Sequence, residues 1–514
     1  MKFKKFISLV TAVALGLTAS AFTSLSSSAT DDAPLYKVEC EDGAELSSEL
    51  QVATKIYNDE YPGYSGDGFV WMQGGGTLTF NVTVPETGMY EVSTRFLQYL
   101  SEDGRMQKLF INGSNKGEFL LPYGKTWGDY KFGVYKLNEG ENEIQIVAGW
   151  GYACFDTFTV DYANLDPLDV EPVLADKDAT QETQSLMNYL CDMYGEKIIS
   201  GQQEIYGGGN DGDMDKEFNW LKDLTGEYPA IRGFDYMNYN PLYGWEDGTT
   251  DRIIDWVNNE NGIATVCWHI HVPNDFANYT LGETIDWTKA TYKPDQTDFD
   301  TSNAIVEGTK EYDYVQLAIE DLATELLKLQ DAGVPVIFRP YHEAEGNGPN
   351  GGAWFWWGSG GAEVYKQLWE NLYTELTEKY GLHNLIWEFN SYTYSTSPEW
   401  YPGDDLVDIV AYDKYNTVYN RTDGLSGVPN EDAISSIFYN LVELTDGKKL
   451  VAMSENDTIP DIDNMTIEEA WWLYFCPWYG DYLMSEQNNY KDTLIKIYQS
   501  DYVITLDELP ADLK

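Results

Sequence analysis

The chain has 514 residues, 15% of them aromatic, and carries a formal charge of −53 from 85 acidic and 32 basic side chains. That length is more than one core organises, so more than one domain is expected. So acidic a surface repels phosphate backbones and argues against a nucleic-acid partner; it suits a soluble protein working on a neutral polymer, and 17 Trp and 39 Tyr offer flat rings that either stack on sugars or fill cores.

The N-terminus opens with Lys2, Lys4 and Lys5, followed by a short apolar run from Phe6 to Leu17 and small-residue sites at Ala19-Ser20-Ala21 and Ser27-Ser28-Ala29. This pattern predicts a secretory signal peptide over residues 1–29 and an extracellular protein, because the apolar run is too short to span a membrane. No second hydrophobic stretch follows, so no membrane association is expected. The five cysteines (Cys40, Cys154, Cys191, Cys267 and Cys476) are scattered without metal-ligand spacing. Buried thiols are expected, although export would permit a bridge such as Cys40–Cys154.

Residues 34–165 alternate polar and apolar positions in short runs: TLTFNVTV at 77–84, YEVSTRF at 90–96, 108–111, NEIQIV at 142–147 and FDTFTVDY at 155–162. Asn112-Gly113 is a hairpin turn signal. Short strands at this spacing predict an all-β sandwich. Residues 166–177 are Pro- and Asp-rich and read as a linker.

From 178 to 514 the texture becomes β–α alternation. Strands are expected over 197–203, 228–236, 262–271, 334–343, 384–390, 406–415, 449–457 and 472–478, with helices such as 314–332 and 362–380 between them. Eight such units predict a (β/α)8 barrel, whose active sites lie at the C-terminal strand ends. Those ends carry Gln202, Asp235, His269, Glu343, Asn390, Tyr415, Glu455 and Trp478.

Hydrolysis of a glycosidic bond uses two carboxyl groups, one to protonate the leaving oxygen and one to attack the anomeric carbon or activate water. Glu343 (FRPYHE) and Glu455 (VAMSEND) end the fourth and seventh strands and face each other across a closed barrel's mouth. A separation of about 5–5.5 Å, and so retention of configuration, is predicted. Glu455 must stay charged, with Arg232, Arg339 or Tyr415 as candidate donors; Glu343 needs a raised pKa. Glu388 is a competing acid that could instead pair with Arg232 or Arg339, and Glu345 reads as a solvated loop residue. Of the four histidines, His269, His271 and His342 fall near the predicted mouth and His383 does not. They suit sugar hydroxyls better than zinc, because no H-E-x-x-H occurs.

The ordered motifs ISGQQ, IRGFDY, TVCWHIHVP, FRPYHEAEG…WFWWG, NLIWEFN, YPGDDLVDIVAYDKY and VAMSEND resemble glycoside hydrolase family 26 over roughly residues 178–500. The resemblance implies an endo-acting retaining hydrolase of β-1,4-mannan, glucomannan or galactomannan that needs no cofactor for catalysis. Branches of the family that cut mixed-linkage β-glucan or β-1,3-xylan are the alternatives, as is a barrel that only binds. It implies Glu343 as acid/base, Glu455 as nucleophile, His342 and Tyr415 as groups that hold hydroxyls or the catalytic carboxylates, His269 on the glycone side and Trp357 as a floor near the cleaved bond. Two departures stand out: a longer, Gly-rich 344–353 loop, and Asn456-Asp457 after the nucleophile.

Residues 35–165, with YKVECE, GYSGDGFV and FDTFTVDY, resemble carbohydrate-binding module family 35 or its relative family 6. Glu39 and Glu41 face one way on a strand, and with Asp161 they offer oxygen ligands for the structural Ca²⁺ the resemblance implies. Tyr64, Trp127 and Trp150 are candidate sugar platforms or sandwich core. The expected partner is a plant β-mannan, engaged by a monomer.

Overall fold

A computed structural model describes residues 33–514 apart from 151, 207–208, 349–350, 420, 422–423, 512, 514 and the Trp150 side chain. The predicted signal peptide and the Trp150 ring therefore lie outside the described residues.

The N-terminal module is two antiparallel sheets face to face. One runs Leu50–Ala53, Phe69–Met72, Ala153–Tyr162, Gly88–Leu97, Gly128–Leu137, with Tyr36–Glu39 also on Ala153–Tyr162; the other runs Glu45–Leu46, Thr77–Val84, Gly140–Trp150, Arg105–Ile111, Ser114–Leu121. Period-two alternation explains the packing. In Thr77–Val84 the residues Leu78, Phe80, Val82 and Val84 point inward, and the Phe80 ring stacks on Phe158 of the opposite sheet at 3.9 Å between centroids. Asn112 and Gly113 both take positive φ (50° and 78°) between Arg105–Ile111 and Ser114–Leu121, as a primed two-residue turn requires.

The second domain is a closed parallel barrel: β1 Ile198–Gln203, β2 Ile231–Asp235, β3 Ile263–Trp268, β4 Val336–Pro340, β5 Leu385–Asn390, β6 Ile409–Lys414, β7 Leu450–Asn456 and β8 Tyr474–Pro477. Each pairs with the next, and β8 and β2 both pair with β1, closing the ring. Residues of these strands are buried on both faces because helices cover the outside and side chains fill the lumen. β3 ends at Trp268, short of its predicted end, so His269 and His271 sit on the loop beyond it. The helix at Lys310–Asp331 begins earlier than its apolar stripe, because Thr309 caps it by accepting the Tyr312 amide. The helix at Ala362–Thr374 continues as a wider turn over Glu375–Lys379.

Residues 166–177 contain no regular element, yet the segment is docked. Val170 and Leu174 are buried in the barrel's apolar core, and the Ala175 amide donates to Asp408 Oδ1 at 2.6 Å. Lys136 of the module reaches the barrel, with Nζ 2.8 Å from Asn464 Oδ1 and 3.4 Å from Glu468 Oε1. All five cysteines are free, so the permitted Cys40–Cys154 bridge is absent.

Candidate active site

The ends of β4, β6 and β7 converge on one buried cation. Arg339, on β4, is 1% exposed. Its Nη2 donates to Glu455 Oε1, its Nη1 donates to Asp413 Oδ2 at 3.0 Å, and its Nε lies 3.8 Å from Glu388 Oε1. Glu455 Oε2 accepts from the Tyr415 hydroxyl at 2.9 Å. Both oxygens of Glu455 are thus held by donors, which fix the carboxyl's position in the lumen. Arg232 is not one of them: it pairs with Glu204 and Asp215. Asp457 pins the loop two residues past Tyr415: its carboxylate accepts the Thr417 amide at 2.7 Å and the Thr458 amide at 2.6 Å.

Glu343 lies just past β4 with φ +52°, in a left-handed stretch that also includes Tyr341 at φ +51°. Such backbone is costly for bulky side chains and persists only where neighbours fix it; here the Glu343 amide donates to Asn390 Oδ1 at 2.8 Å. Burial, and then the negative charges of Asp413 and Glu455, push the Glu343 carboxyl well above its ordinary value, against the pull of Arg339 and Tyr392. One acid is thereby kept protonated beside another held by donors, the division of roles that glycoside hydrolysis requires.

Burial also lifts Glu388 and Asp413, each to about 7. Glu388 receives the Tyr474 hydroxyl at 2.6 Å and Asp413 the Ser454 hydroxyl at 2.6 Å. Glu388 therefore lies behind Arg339, 0% exposed, as a packing and pairing residue. Glu345 corrects the sequence reading: it is buried, accepting from Ser397 Oγ at 2.6 Å and from Thr396 Oγ1 at 2.5 Å, and ties the loop after Glu343 to the loop after β5.

On the other side of Glu343, His342 Nε2 is 3.1 Å from His269 Nε2, and His269 Nδ1 is 2.7 Å from Asp235 Oδ2. Burial, Arg339 and His269 press His342 well below its ordinary pKa, so it is neutral. Burial opposes charge on His269 too, but Asp235 prevails and raises it. His271 lies farther out against Tyr243 and Tyr292, while His383 pairs with Asp176 far from the mouth.

Trp357 requires a second correction. Its ring is 0% exposed, stacked on Phe355 at 4.5 Å, and its Nε1 donates to the His342 carbonyl at 2.8 Å. It supports His342 from below and offers no open face. The half-buried rings beside His269 are Tyr292, at 5.5 Å, and Trp478, at 6.3 Å and just past β8. Gly358, next to Trp357, shows how tightly this loop closes: a Cβ there would lie 1.8 Å from the Ala344 carbonyl oxygen, one residue after Glu343. Gly358→Ala is expected to lower kcat by about 100-fold through displacement of the acid's loop, with a reduced melting temperature; rates and thermal melts check both.

In the module, Glu39 Oε2 accepts from Ser65 Oγ at 2.8 Å, and Glu41 Oε1 accepts the Gly68 amide at 3.0 Å. The third acid there is Asp156, which accepts the Ser65 amide at 2.9 Å. Asp161 is elsewhere: it accepts the Leu35 and Tyr162 amides. Glu39 is paired with Thr157, so Asp161 lies about 13 Å farther along that strand. Trp127 is buried in a satellite cluster with Phe69 and Trp71, and Tyr64 packs on it at 6.0 Å.

Residues 175–508 match glycosyl hydrolase family 26, and residues 44–168 match the carbohydrate binding module of family 35. The chain belongs to glycosyl hydrolase family 26. Its relatives include a mannan endo-1,4-beta-mannosidase from Thermothelomyces thermophilus, 33% identical over 455 residues (87% of this chain and 86% of that protein). Another, mannan endo-1,4-beta-mannosidase B of Piromyces sp, is 30% identical over 89% of this chain and 75% of its own. The crystal structure of a ruminal family-26 endo-beta-1,4-mannanase superposes with a TM-score of 0.88 at 50% identity, covering 94% of this chain and 99% of that one. The Podospora anserina family-26 mannanase with a family-35 module gives 0.61 at 32% identity, covering 93% and 99%.

Asp235, Asn390, Tyr392, Asp413 and Trp478 are site residues that strand-end reasoning left without a role. Asp413 and Asn390 fall inside the quoted motifs, but only the folded register shows which side chains enter the lumen.

Proposed function

We propose that this family-26 hydrolase cleaves internal β-1,4-mannosidic bonds by double displacement. The observation that carries the reading is the contrast within one pocket: Glu455 gripped by Arg339 and Tyr415, and beside it a half-buried Glu343 whose carboxyl pKa is pushed well above its ordinary value. Glu455 attacks the anomeric carbon while Glu343 gives its proton to the leaving oxygen. Glu343, now a carboxylate, then deprotonates the water that releases the sugar from Glu455. His269, with its proton held on Nδ1 by Asp235, and Trp478 contact the glycone; the exposed Trp245 stacked on Tyr243 at 4.7 Å extends that side outward. The mannosidase relatives support mannan as the polymer.

Release of reducing ends from linear mannan and glucomannan tests this. Activity confined to barley β-glucan or β-1,3-xylan would leave the chemistry and refute the substrate. Tyr415→Phe is expected to cost about 10- to 150-fold in kcat, the worth of a hydrogen bond to a charged group at about 1.5–3 kcal/mol, with KM little changed.

The module is proposed to hold the same polymer through Tyr64 and the other rings packed on the same satellite cluster, Tyr61 and Tyr99 at 5.4 Å from each other and Tyr57 (72% exposed) edge-on to Trp71. Its calcium would be held by Glu39, Glu41 and Asp156, which would have to draw closer together than the 4.8 Å spacing they now exceed, with Asp156 exchanging its Arg95 Nε partner at 2.9 Å for the ion. Glu41 Oε2 is buried without a partner, and Gly66 leaves room that a Cβ 2.5 Å from Glu41 Oε1 would fill, so an oxygen-bound cation fits. There it would tie the first strand to the Ala153–Tyr162 strand. The basic and apolar residues 2–17 support export.

A further inference from the structure

Hydrolysis gives no role to Cys267, yet Cys267 stands at the edge of the site. Asp235 ends β2, and Cys267 on β3 is its direct register partner. His269, the first residue past β3, follows two residues later. The Asp235 carboxylate, the Cys267 Sγ and the His269 Nδ1 all lie within 4.8 Å of one another, with His269 Nδ1 2.7 Å from Asp235 Oδ2 and 3.9 Å from Sγ. Among the described residues no other three His, Cys, Asp or Glu side chains converge in this way.

We propose that Asp235, Cys267 and His269 form a binding site for Zn²⁺, and that filling it stops hydrolysis. One sulfur, one imidazole nitrogen and one carboxylate oxygen are the ligand types zinc takes, and three protein ligands leave a fourth position for water. A hard cation such as Ca²⁺ gains little from a thiol and a nitrogen. Binding itself does not depend on the mannanase reading; the inhibition does.

The proton balance explains the inhibition. Above the pH at which His269 is charged, Asp235 accepts from the neutral ring's Nδ1, which leaves His269 Nε2 as the acceptor for the His342 Nε2 proton at 3.1 Å. Zinc takes the Nδ1 lone pair, so the His269 proton moves to Nε2. His342 must then accept there and carry its own proton on Nδ1, an atom that is buried without a partner. The thiol proton leaves to solvent, for a net release of one proton. Both histidines beside Glu343 thus reverse their hydrogen-bond polarity. The buried thiol resists ionisation, its pKa raised well above the ordinary value by burial, so the site is weaker than a structural zinc centre.

The test titrates ZnCl₂ into the purified full chain, read by calorimetry and by hydrolysis rate. The expected result is one zinc per chain with one proton released, a rate at least tenfold lower at saturation, recovery with EDTA, and no inhibition by equimolar CaCl₂. Cys267→Ala should keep its fold and basal rate but bind zinc at least tenfold more weakly and stay active in it. Equal zinc affinity in wild type and Cys267→Ala, or no zinc binding by wild type, overturns the proposal. If Cys267→Ala does not fold, Asp235→Asn, read by calorimetry alone, decides on the same tenfold criterion. If the chain hydrolyses no mannan, the mannanase reading fails while calorimetry still judges the zinc site.

Discussion

Glu455→Ala is expected to lower kcat by about 10⁴-fold or more, the scale on which losing a covalent nucleophile is felt. The geometry makes the loss specific to turnover. Glu455 is one of three carboxylates around Arg339, so its removal leaves Asp413 bonded to Nη1 and Glu388 beside Nε. Arg339 remains paired, and the core it occupies should stay folded. The measurement is steady-state hydrolysis of mannan alongside a thermal melt. A variant retaining a tenth of wild-type kcat would reject Glu455 as nucleophile.

Glu343→Ala is expected to lower kcat by about 10²–10⁴-fold, the range for loss of a positioned general acid, and to reshape the pH profile. The sign follows from burial and neighbouring charge, which raise the Glu343 pKa. Glu343 acts as an acid only while protonated, so wild-type kcat/KM should fall as pH rises through that raised value. Glu343→Gln cannot titrate and should lose that alkaline limb. A substrate whose leaving group needs no proton, such as an activated aryl glycoside, should lose less than mannan in its first step. Full mannan activity in either variant, or an unchanged alkaline limb in Glu343→Gln, would remove Glu343 from the role.

The barrel was legible in the sequence because buried parallel strands form apolar runs that end in polar or aromatic side chains, as at Glu343 and Glu455. The failures share one cause. Trp357 and Glu345 lie in the loop after Glu343, where no periodicity tells an inward ring or acid from a solvent-facing one. Asp161 and Asp156 lie on the same strand, and only its register against Tyr36–Glu39 shows that Asp156 meets Glu39. Asp235 and Cys267 are likewise neighbours by strand register, 32 positions apart in the chain.

The Lys136 contacts to Asn464 and Glu468, with the seated segment ending at the Ala175–Asp408 bond, leave the tether between module and barrel little slack. A slack tether lets an anchored enzyme sweep a broad radius; a taut one fixes the distance between anchor and blade. Gain from two-point attachment then falls on polymers long enough and shaped to reach both points at once, while short oligosaccharides gain nothing. On a fibre wall such an enzyme would cut at a set offset from where it holds, and progress would require letting go.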